Sequence, residues 1–190
     1  MSTAAAPAAF QPDIAPVADS LVASALVAGG WLVIGAAVLT AGSLLDAVDG
    51  ALARAQGGGT AFGSFLDSTL DRASEAILYA GIAAWFLTAL DEPALPVIAV
   101  VVALSGSFLV SYARARAEGI GLTASVGLAP RTERLVLVIA GIALAGFGFT
   151  PILIGVLVII AALTVVTVIQ RIWHVWRLSR AATAATEKEN

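Results

Sequence analysis

The sequence contains no cysteine, one histidine and few charged residues, which make up 12% of its 190 residues. Without cysteine there is no disulfide framework, no thiol chemistry and no thiolate metal site. A single histidine also argues against a metal centre built from imidazoles. Any metal that binds is therefore expected to have oxygen ligands, which suit hard cations such as Mg2+, Mn2+ or Ca2+.

Apolar residues are abundant in this sequence, in contrast to charged ones. Hydrophobic residues make up 59% of the chain, and the mean hydropathy is +0.97. These values are too high for an ordinary water-soluble domain and are typical of a protein that lies in a membrane. The net charge of -3 indicates no particular partner. We expect membrane lipids around the chain, and no nucleic acid.

Six apolar runs, separated by turns that contain glycine or proline, predict an all-α integral membrane bundle of six transmembrane helices. The first run is about 15 residues long, which is short for a span that needs about 20 residues. The chain divides into a lead-in at residues 1–13, a single membrane-embedded domain at 14–180 and a polar tail at 181–190. The runs lie at about 14–28, 31–45 (continuing as helix to 54), 60–90, 95–118, 135–149 and 151–169.

The ten lysine and arginine residues lie at one alternating set of span ends. The opposite turns, at residues 29–30, 91–93 and 146–150, carry no base. Because basic residues accumulate on the cytoplasmic side of a membrane, this pattern predicts a multi-pass protein of the cell membrane with its basic ends in the cytoplasm. An even number of spans would place both termini there as well.

Four carboxylates lie in the stretch from Asp46 to Asp71, at the basic ends of the predicted second and third spans. Asp46 and Asp49 are three residues apart, and Asp67 and Asp71 are four apart, so each pair shares one helix face. Four acids on converging faces repel one another unless cations lie between them. A pair of divalent cations would neutralise them and bridge a diphosphate, as two-metal sites do. The alternative is that the four are solvated acids at the membrane interface.

Small residues surround these acids. Ala, Gly and Ser occupy most positions between them, so the two helices can approach closely. Gly50 and Gly63 leave the backbone open for a ligand. Arg54, five residues after Asp49, can reach a phosphate that cations leave incompletely neutralised, although an interfacial cation needs no such role.

The same stretch resembles the signature of the CDP-alcohol phosphotransferases, D-x-x-D-G-x-x-A-R-x8-G-x-x-x-D-x-x-x-D, and matches it at every fixed position. The resemblance implies a six-helix homodimeric membrane enzyme that uses two divalent cations, Mg2+ or Mn2+. It implies attack of an alcohol oxygen on the β-phosphorus of a CDP-linked lipid, with CMP leaving. It also implies metal binding by Asp46, Asp49, Asp67 and Asp71, a general-base role for Asp71, and CDP binding by Gly50, Ala53, Arg54 and Gly63.

A second basic set lies further along the chain. The rule that basic residues lie on the cytoplasmic side would explain each of its arginines taken singly. Taken together, their planar guanidinium groups are suited to form paired hydrogen bonds with a phosphate on the acceptor alcohol. The segment Ser111–Glu118 resembles the S-Y-x-K/R-A-R-A-E segment of phosphatidylinositol phosphate and archaetidylinositol phosphate synthases, and residues 130–134 partly match their E-R-x-E-R segment. The resemblance implies that the phosphate of inositol 1-phosphate is bound by Arg114, Arg131 and Arg171, with Arg116 and Arg134 as additional candidates.

The predicted function is transfer of a phosphatidyl-type group from CDP-diacylglycerol, or an ether analogue, to a hydroxyl of a phosphorylated polyol, inositol 1-phosphate. A phosphatidylglycerolphosphate synthase, with glycerol 3-phosphate as acceptor, would use the same signature. A non-catalytic scaffold or a divalent-cation transporter is the alternative from another class, but a transporter is expected to carry its acids near mid-span. The amino-terminal region departs from the family's usual P-N/D-x-x-T segment, since Pro12 and Asp13 are followed by Pro16 and no base precedes Arg54.

Overall fold

The computed structural model describes residues 14–55, 60–128 and 130–189, with the backbone alone at 53–54 and 182–189. The predicted lead-in at residues 1–13 lies outside these ranges. The described residues form helices and no strand, which confirms the predicted all-α fold of six helices. The helices are α1 (Ala15–Ala28), α2 (Leu32–Ala55), α3 (Ala61–Ala89), α4 (Ala94–Glu118), α5 (Arg131–Gly146) and α6 (Thr150–Glu189).

Local sequence signals account for several helix ends. Pro16 lies in the first turn of α1, where a missing amide proton costs nothing. Gly30, which follows α1, has a φ of 84°, a left-handed conformation that glycine adopts without strain. Thr60 caps α3, because its hydroxyl accepts a hydrogen bond from the Gly63 amide at 3.0 Å.

Within the described ranges, three helices are long and apolar enough to cross a membrane: residues Leu32–Leu52 of α2, Ala94–Glu118 of α4 and Thr150–Ala181 of α6. Helix α1 is apolar but has only 14 residues, as the short first run predicted. Large apolar side chains such as Leu95, Val101 and Ile169 are exposed on the outside of the helices. Such a surface suits contact with lipid tails rather than with water.

Two helices differ from the predicted spans. Helix α5 begins at Arg131, directly after Pro130 and four residues before the predicted start. The prediction followed the apolar run, but the polar residues of the first turn are also compatible with helix. Helix α6 continues through the predicted polar tail, since its second half contains neither glycine nor proline. The earlier start of α5 matters most, because it puts Arg131 and Arg134 on one helix face, three residues apart.

The main helix contacts close a ring. Helix α1 packs on α3, α3 on α4, α4 on α6, α6 on α5, α5 on α2, and α2 on α1. Close approaches depend on small residues, and a Cβ at Gly106 of α4 would collide with the Thr164 side chain of α6. Buried apolar side chains such as Ile82, Phe86 and Ile142 fill the core of the ring. In this order α3 and α5 lie on opposite sides.

Candidate active site

A cavity of about 340 Å³ lies between α1, α2, α3 and α5. Apolar side chains, among them Leu39, Leu78 and Val138, form part of its wall. The rest of the wall is polar and carries both signs of charge, which is unusual inside an apolar bundle. Its charged residues are Asp19, Asp46, Asp67, Glu75, Arg131 and Arg134, and hydroxyl groups come from Ser20, Ser43, Ser74, Tyr79 and Thr132.

The signature acids are distributed around this cavity. Asp46 on α2 and Asp67 on α3 line it, whereas Asp49 and Asp71 are not among its lining residues. Asp46, Asp49 and Asp67 are exposed, and Asp71 is half-buried. The two helices thus bring one acid of each predicted pair to the same cavity.

The predicted CDP-binding residues have mixed positions. Gly50 lines the cavity, while Gly63 lies in the capped first turn of α3 and does not. The side chains of Ala53 and Arg54 lie outside the described part of the chain. Their predicted roles therefore stay predictions.

Asp71 is held by arginines. Its Oδ1 atom lies 2.8 Å from Arg131 Nη1, and its Oδ2 atom lies 4.0 Å from Arg72 Nη2. Asp71 precedes the apolar run of α3 at residues 76–90, so it lies in the polar first half of this helix, outside its apolar part. Burial raises the pKa of the Asp71 carboxyl, Arg131 opposes this, and the nearby charges of Asp67 and Asp46 raise it further. Asp46 and Asp67 are therefore both within electrostatic reach of Asp71.

Four carboxylates supply oxygen ligands of the kind that Mg2+ and Mn2+ prefer. Among the described residues, no three acidic or histidine side chains are spaced to hold one ion. The donor chemistry fits divalent cations, and the two-metal arrangement stays a prediction.

Glu75 is one of two charged cavity residues that the sequence analysis missed. Its Oε2 atom lies 2.9 Å from Arg72 Nη1, and its Oε1 atom lies 3.4 Å from Arg134 Nη2 on α5. Arg72 also donates a hydrogen bond to Ser111 Oγ on α4 at 2.7 Å. The sequence did contain a signal for Glu75: residues 67, 71 and 75 are all acids, and their spacing of four places them on one face of α3.

Asp19 was also missed. It lies on α1, lines the cavity and packs against Gly42 of α2, where a Cβ would come within 2.6 Å of Asp19 Oδ2. Glycine at position 42 therefore makes room for this carboxylate. The sequence offered no signal for it, since a single acid in a short apolar helix has no partner in a motif.

The arginines predicted to bind the acceptor phosphate fall into two groups. Arg131 and Arg134 line the cavity. Arg114 is 57% exposed and pairs with Glu118 at 2.8 Å, and Arg116 is exposed. Arg171 donates to the carbonyl oxygens of Val126, at 2.9 Å, and Val110, so it ties the loop after α4 to α4 and α6. Arg114, Arg116 and Arg171 do not line this cavity.

Together these features define a membrane-embedded helical protein with an acidic, arginine-lined cavity at one end of the bundle. Residues 16–170 match the family model described as CDP-alcohol phosphatidyltransferase. The chain is 44% identical over 140 residues to archaetidylinositol phosphate synthase of Methanothermobacter thermautotrophicus, covering 74% of this chain and 68% of the relative. It is 40% identical over 158 residues to phosphatidylinositol phosphate synthase of Mycolicibacterium smegmatis, covering 80% of this chain and 70% of the relative.

Solved structures agree with these sequence matches. The crystal structure of Mycobacterium tuberculosis phosphatidylinositol phosphate synthase with CDP-DAG bound is similar with a TM-score of 0.78 and 35% identity, over 88% of this chain and 87% of that one. The same protein in complex with manganese and citrate gives a TM-score of 0.78 and 36% identity, over 86% and 79%. The chain belongs to the CDP-alcohol phosphatidyltransferase family. It is a membrane enzyme, as predicted, and not a scaffold or a cation transporter.

Proposed function

We propose that this enzyme transfers a phosphatidyl-type group from CDP-diacylglycerol, or an ether analogue, to a hydroxyl of inositol 1-phosphate and releases CMP. The observation that carries the proposal is the cavity in which Asp46 and Asp67 face Arg131 and Arg134. Support also comes from relatives named for phosphatidylinositol phosphate and archaetidylinositol phosphate synthesis, one of them with CDP-DAG bound.

The donor diphosphate belongs at the signature acids in this proposal. Asp46, Asp49, Asp67 and Asp71 would hold two divalent cations, Mg2+ or Mn2+, which neutralise the diphosphate when bound. A relative in complex with manganese supports a divalent metal in the site. Gly50 lines the cavity without a side chain, so the backbone is open to CDP, and Ala53, Arg54 and Gly63 are the other proposed CDP contacts.

Asp71 is the proposed general base. The acceptor hydroxyl is a poor nucleophile at neutral pH and needs a positioned group to take its proton. As the hydroxyl oxygen bonds to the β-phosphorus, Asp71 accepts the proton, the bond to the bridging oxygen breaks, and CMP leaves with that oxygen. Burial raises the pKa of the Asp71 carboxyl, whereas bound divalent cations would lower it, so we expect the proton to be accepted late, as charge leaves the hydroxyl oxygen.

The acceptor phosphate belongs beside α5 in this proposal. Arg131 and Arg134 line the cavity from the first turns of α5, and guanidinium forks match the geometry of a phosphate. Arg114, Arg116 and Arg171 lie at the same end of the bundle, toward which α4 ends and α5 begins. They remain proposed contributors around the entrance.

We further propose a placement in the cell membrane with the cavity toward the cytoplasm, a single domain at residues 14–180 and a homodimer. The support for orientation is that all ten basic residues lie toward the end of the bundle that carries the signature acids.

The purified protein in detergent, given CDP-diacylglycerol, Mg2+ or Mn2+ and radiolabelled inositol 1-phosphate, is expected to form a labelled phosphorylated lipid and equimolar CMP. Glycerol 3-phosphate is tested in parallel. A product from glycerol 3-phosphate alone would replace the proposed acceptor. Absence of CMP release with every acceptor would overturn the proposal.

A further inference from the structure

Two ion pairs join α3 to α5 beside the cavity. Asp71 and Glu75 are four residues apart on α3, and Arg131 and Arg134 are three apart on α5, so each set shares a helix face. Asp71 pairs with Arg131 at 2.8 Å and Glu75 pairs with Arg134 at 3.4 Å. Because α3 and α5 are on opposite sides of the helix ring, these side chains bridge a gap that the backbones do not close.

The two pairs differ in their surroundings. Asp71 and Arg131 have side chains 20% and 34% exposed, whereas Glu75 and Arg134 are 10% and 2% exposed. A guanidinium as buried as that of Arg134 needs a counter-charge nearby. Glu75 supplies it, and Glu75 lies outside the signature that the sequence shares with its family.

Glu75 also connects a third helix. The same carboxylate binds Arg72 at 2.9 Å, and Arg72 donates to Ser111 on α4. One buried carboxylate therefore fixes two guanidinium groups whose positions depend on α3, α4 and α5. An arginine held in this way loses less side-chain entropy when it binds an anion than a mobile one does.

The charges of this cluster suit an anion. Arg72, Arg131 and Arg134 carry three positive charges, and Asp71 and Glu75 carry two negative ones, so these five residues give the α5 side of an otherwise acidic cavity one excess positive charge. Arg131 and Arg134 both reach the cavity wall. A phosphate monoester that enters the cavity would meet two guanidinium groups from one helix face.

We propose that Glu75 is a positioning residue for the acceptor: it holds Arg134 at the cavity wall so that Arg134 and Arg131 together bind the phosphate of the acceptor alcohol. The inference rests on the proposed function, because it needs an acceptor that carries a phosphate. Glu75 itself takes no part in proton transfer or in CDP binding.

The test is the variant Glu75→Gln, which keeps the shape of the side chain and removes its charge. The KM for inositol 1-phosphate is expected to rise about tenfold, which matches the loss of one charge-assisted hydrogen bond. The KM for CDP-diacylglycerol and kcat at saturating acceptor should change less than about twofold. The reason is that the variant weakens binding of the acceptor equally in the ground state and in the transition state, and leaves binding of the donor unchanged. Glu75→Asp, which keeps the charge, should recover part of the acceptor affinity.

Glu92→Gln is the matched control, because Glu92 is the same residue type and is exposed in the turn between α3 and α4, at the other end of the bundle. It should leave both KM values unchanged. Equal losses for donor and acceptor in Glu75→Gln, together with a lower melting temperature, would reduce Glu75 to a structural role and overturn the inference. An unchanged acceptor KM would overturn it as well.

A double-mutant cycle separates action through Arg134 from an independent effect. If Glu75 acts through Arg134, the variant with both Glu75→Gln and Arg134→Gln should bind the acceptor no worse than Arg134→Gln alone. Fully additive losses would contradict the inference. If the wild-type enzyme uses glycerol 3-phosphate instead of inositol 1-phosphate, the proposed acceptor is wrong, and the same comparison with glycerol 3-phosphate still decides the role of Glu75.

Discussion

The two ion pairs between α3 and α5 use the same chemistry in different surroundings. The pair of Asp71 and Arg131 joins a signature acid to a half-exposed arginine, while the pair of Glu75 and Arg134 is almost entirely buried. An accessible carboxylate can exchange its partner for a substrate proton or a cation, whereas a buried pair exchanges partners only at a high desolvation cost. The comparison teaches that an exchangeable ion pair and a rigid, buried one lie on successive turns of the same helix.

The largest expected effect is on the reactive pair. Asp71→Asn should lower kcat by about a hundredfold to ten-thousandfold, the range that a positioned general base contributes. Release of CMP from CDP-diacylglycerol in the presence of acceptor measures this loss. Asp91→Asn, in the exposed turn between α3 and α4 at the other end of the bundle, is the control and should keep full activity. Activity close to wild type in Asp71→Asn would remove Asp71 from the reaction.

The next effect is on stability. Arg134→Met should lower the free energy of unfolding by about 3–5 kcal/mol, because it leaves the buried Glu75 carboxylate without one of its partners. Arg131→Met should cost no more than about 1 kcal/mol, because its pair is partly solvated. Thermal unfolding in detergent, followed by tryptophan fluorescence, measures both. Equal losses in the two variants would erase the difference between the pairs.

A smaller effect, on acceptor binding, is expected when Arg131 is replaced, the more exposed of the two arginines that line the cavity. Arg131→Gln should raise the KM for inositol 1-phosphate about tenfold, since one charged hydrogen bond to the phosphate is lost. The KM for CDP-diacylglycerol serves as the internal control and should stay within about twofold. If the donor KM rose by the same factor, Arg131 would act on the diphosphate and not on the acceptor.

The smallest effect is expected at Arg114. Its guanidinium is exposed and paired with Glu118, and it does not line the cavity. Water and salt screen such a charge, so Arg114→Gln should change the acceptor KM by no more than about threefold. Steady-state assays with Arg131→Gln alongside provide the comparison. A loss as large as that of Arg131→Gln would show that Arg114 contacts the acceptor.

Much of the fold could be predicted from the sequence, because glycine, proline and apolar runs mark helix ends directly. The start of α5 at Arg131 and the length of α6 could not, since hydropathy marks the part of a helix that lies in lipid and not the helix itself. At the site, the signature spacing predicts that all four acids come together; Asp46 and Asp67 line one cavity, whereas Asp49 and Asp71 do not.

Glu75 was not predicted because its role depends on its ion pair with Arg134, which lies 59 residues away in sequence. The sequence alone does not show that the two residues meet. Spacing also could not separate Arg131 and Arg134 from Arg114 and Arg171. All of them follow the same rule of basic residues at one set of helix ends. Only the packing of α5 opposite α3 decides which of them reach the cavity.

The length of α6 has a consequence for how deep the cavity sits in the bilayer. At 40 residues it measures about 60 Å, roughly twice the thickness of the hydrocarbon layer. Its outer half carries the exposed pair Trp173 and Trp176, whose rings lie 4.9 Å apart, with Arg180 stacked 5.2 Å from the second ring. Such groups prefer the headgroup level. We therefore expect α6 to hold the end of the bundle that carries the signature acids at the headgroup level, where a water-soluble acceptor and a membrane-bound donor can meet.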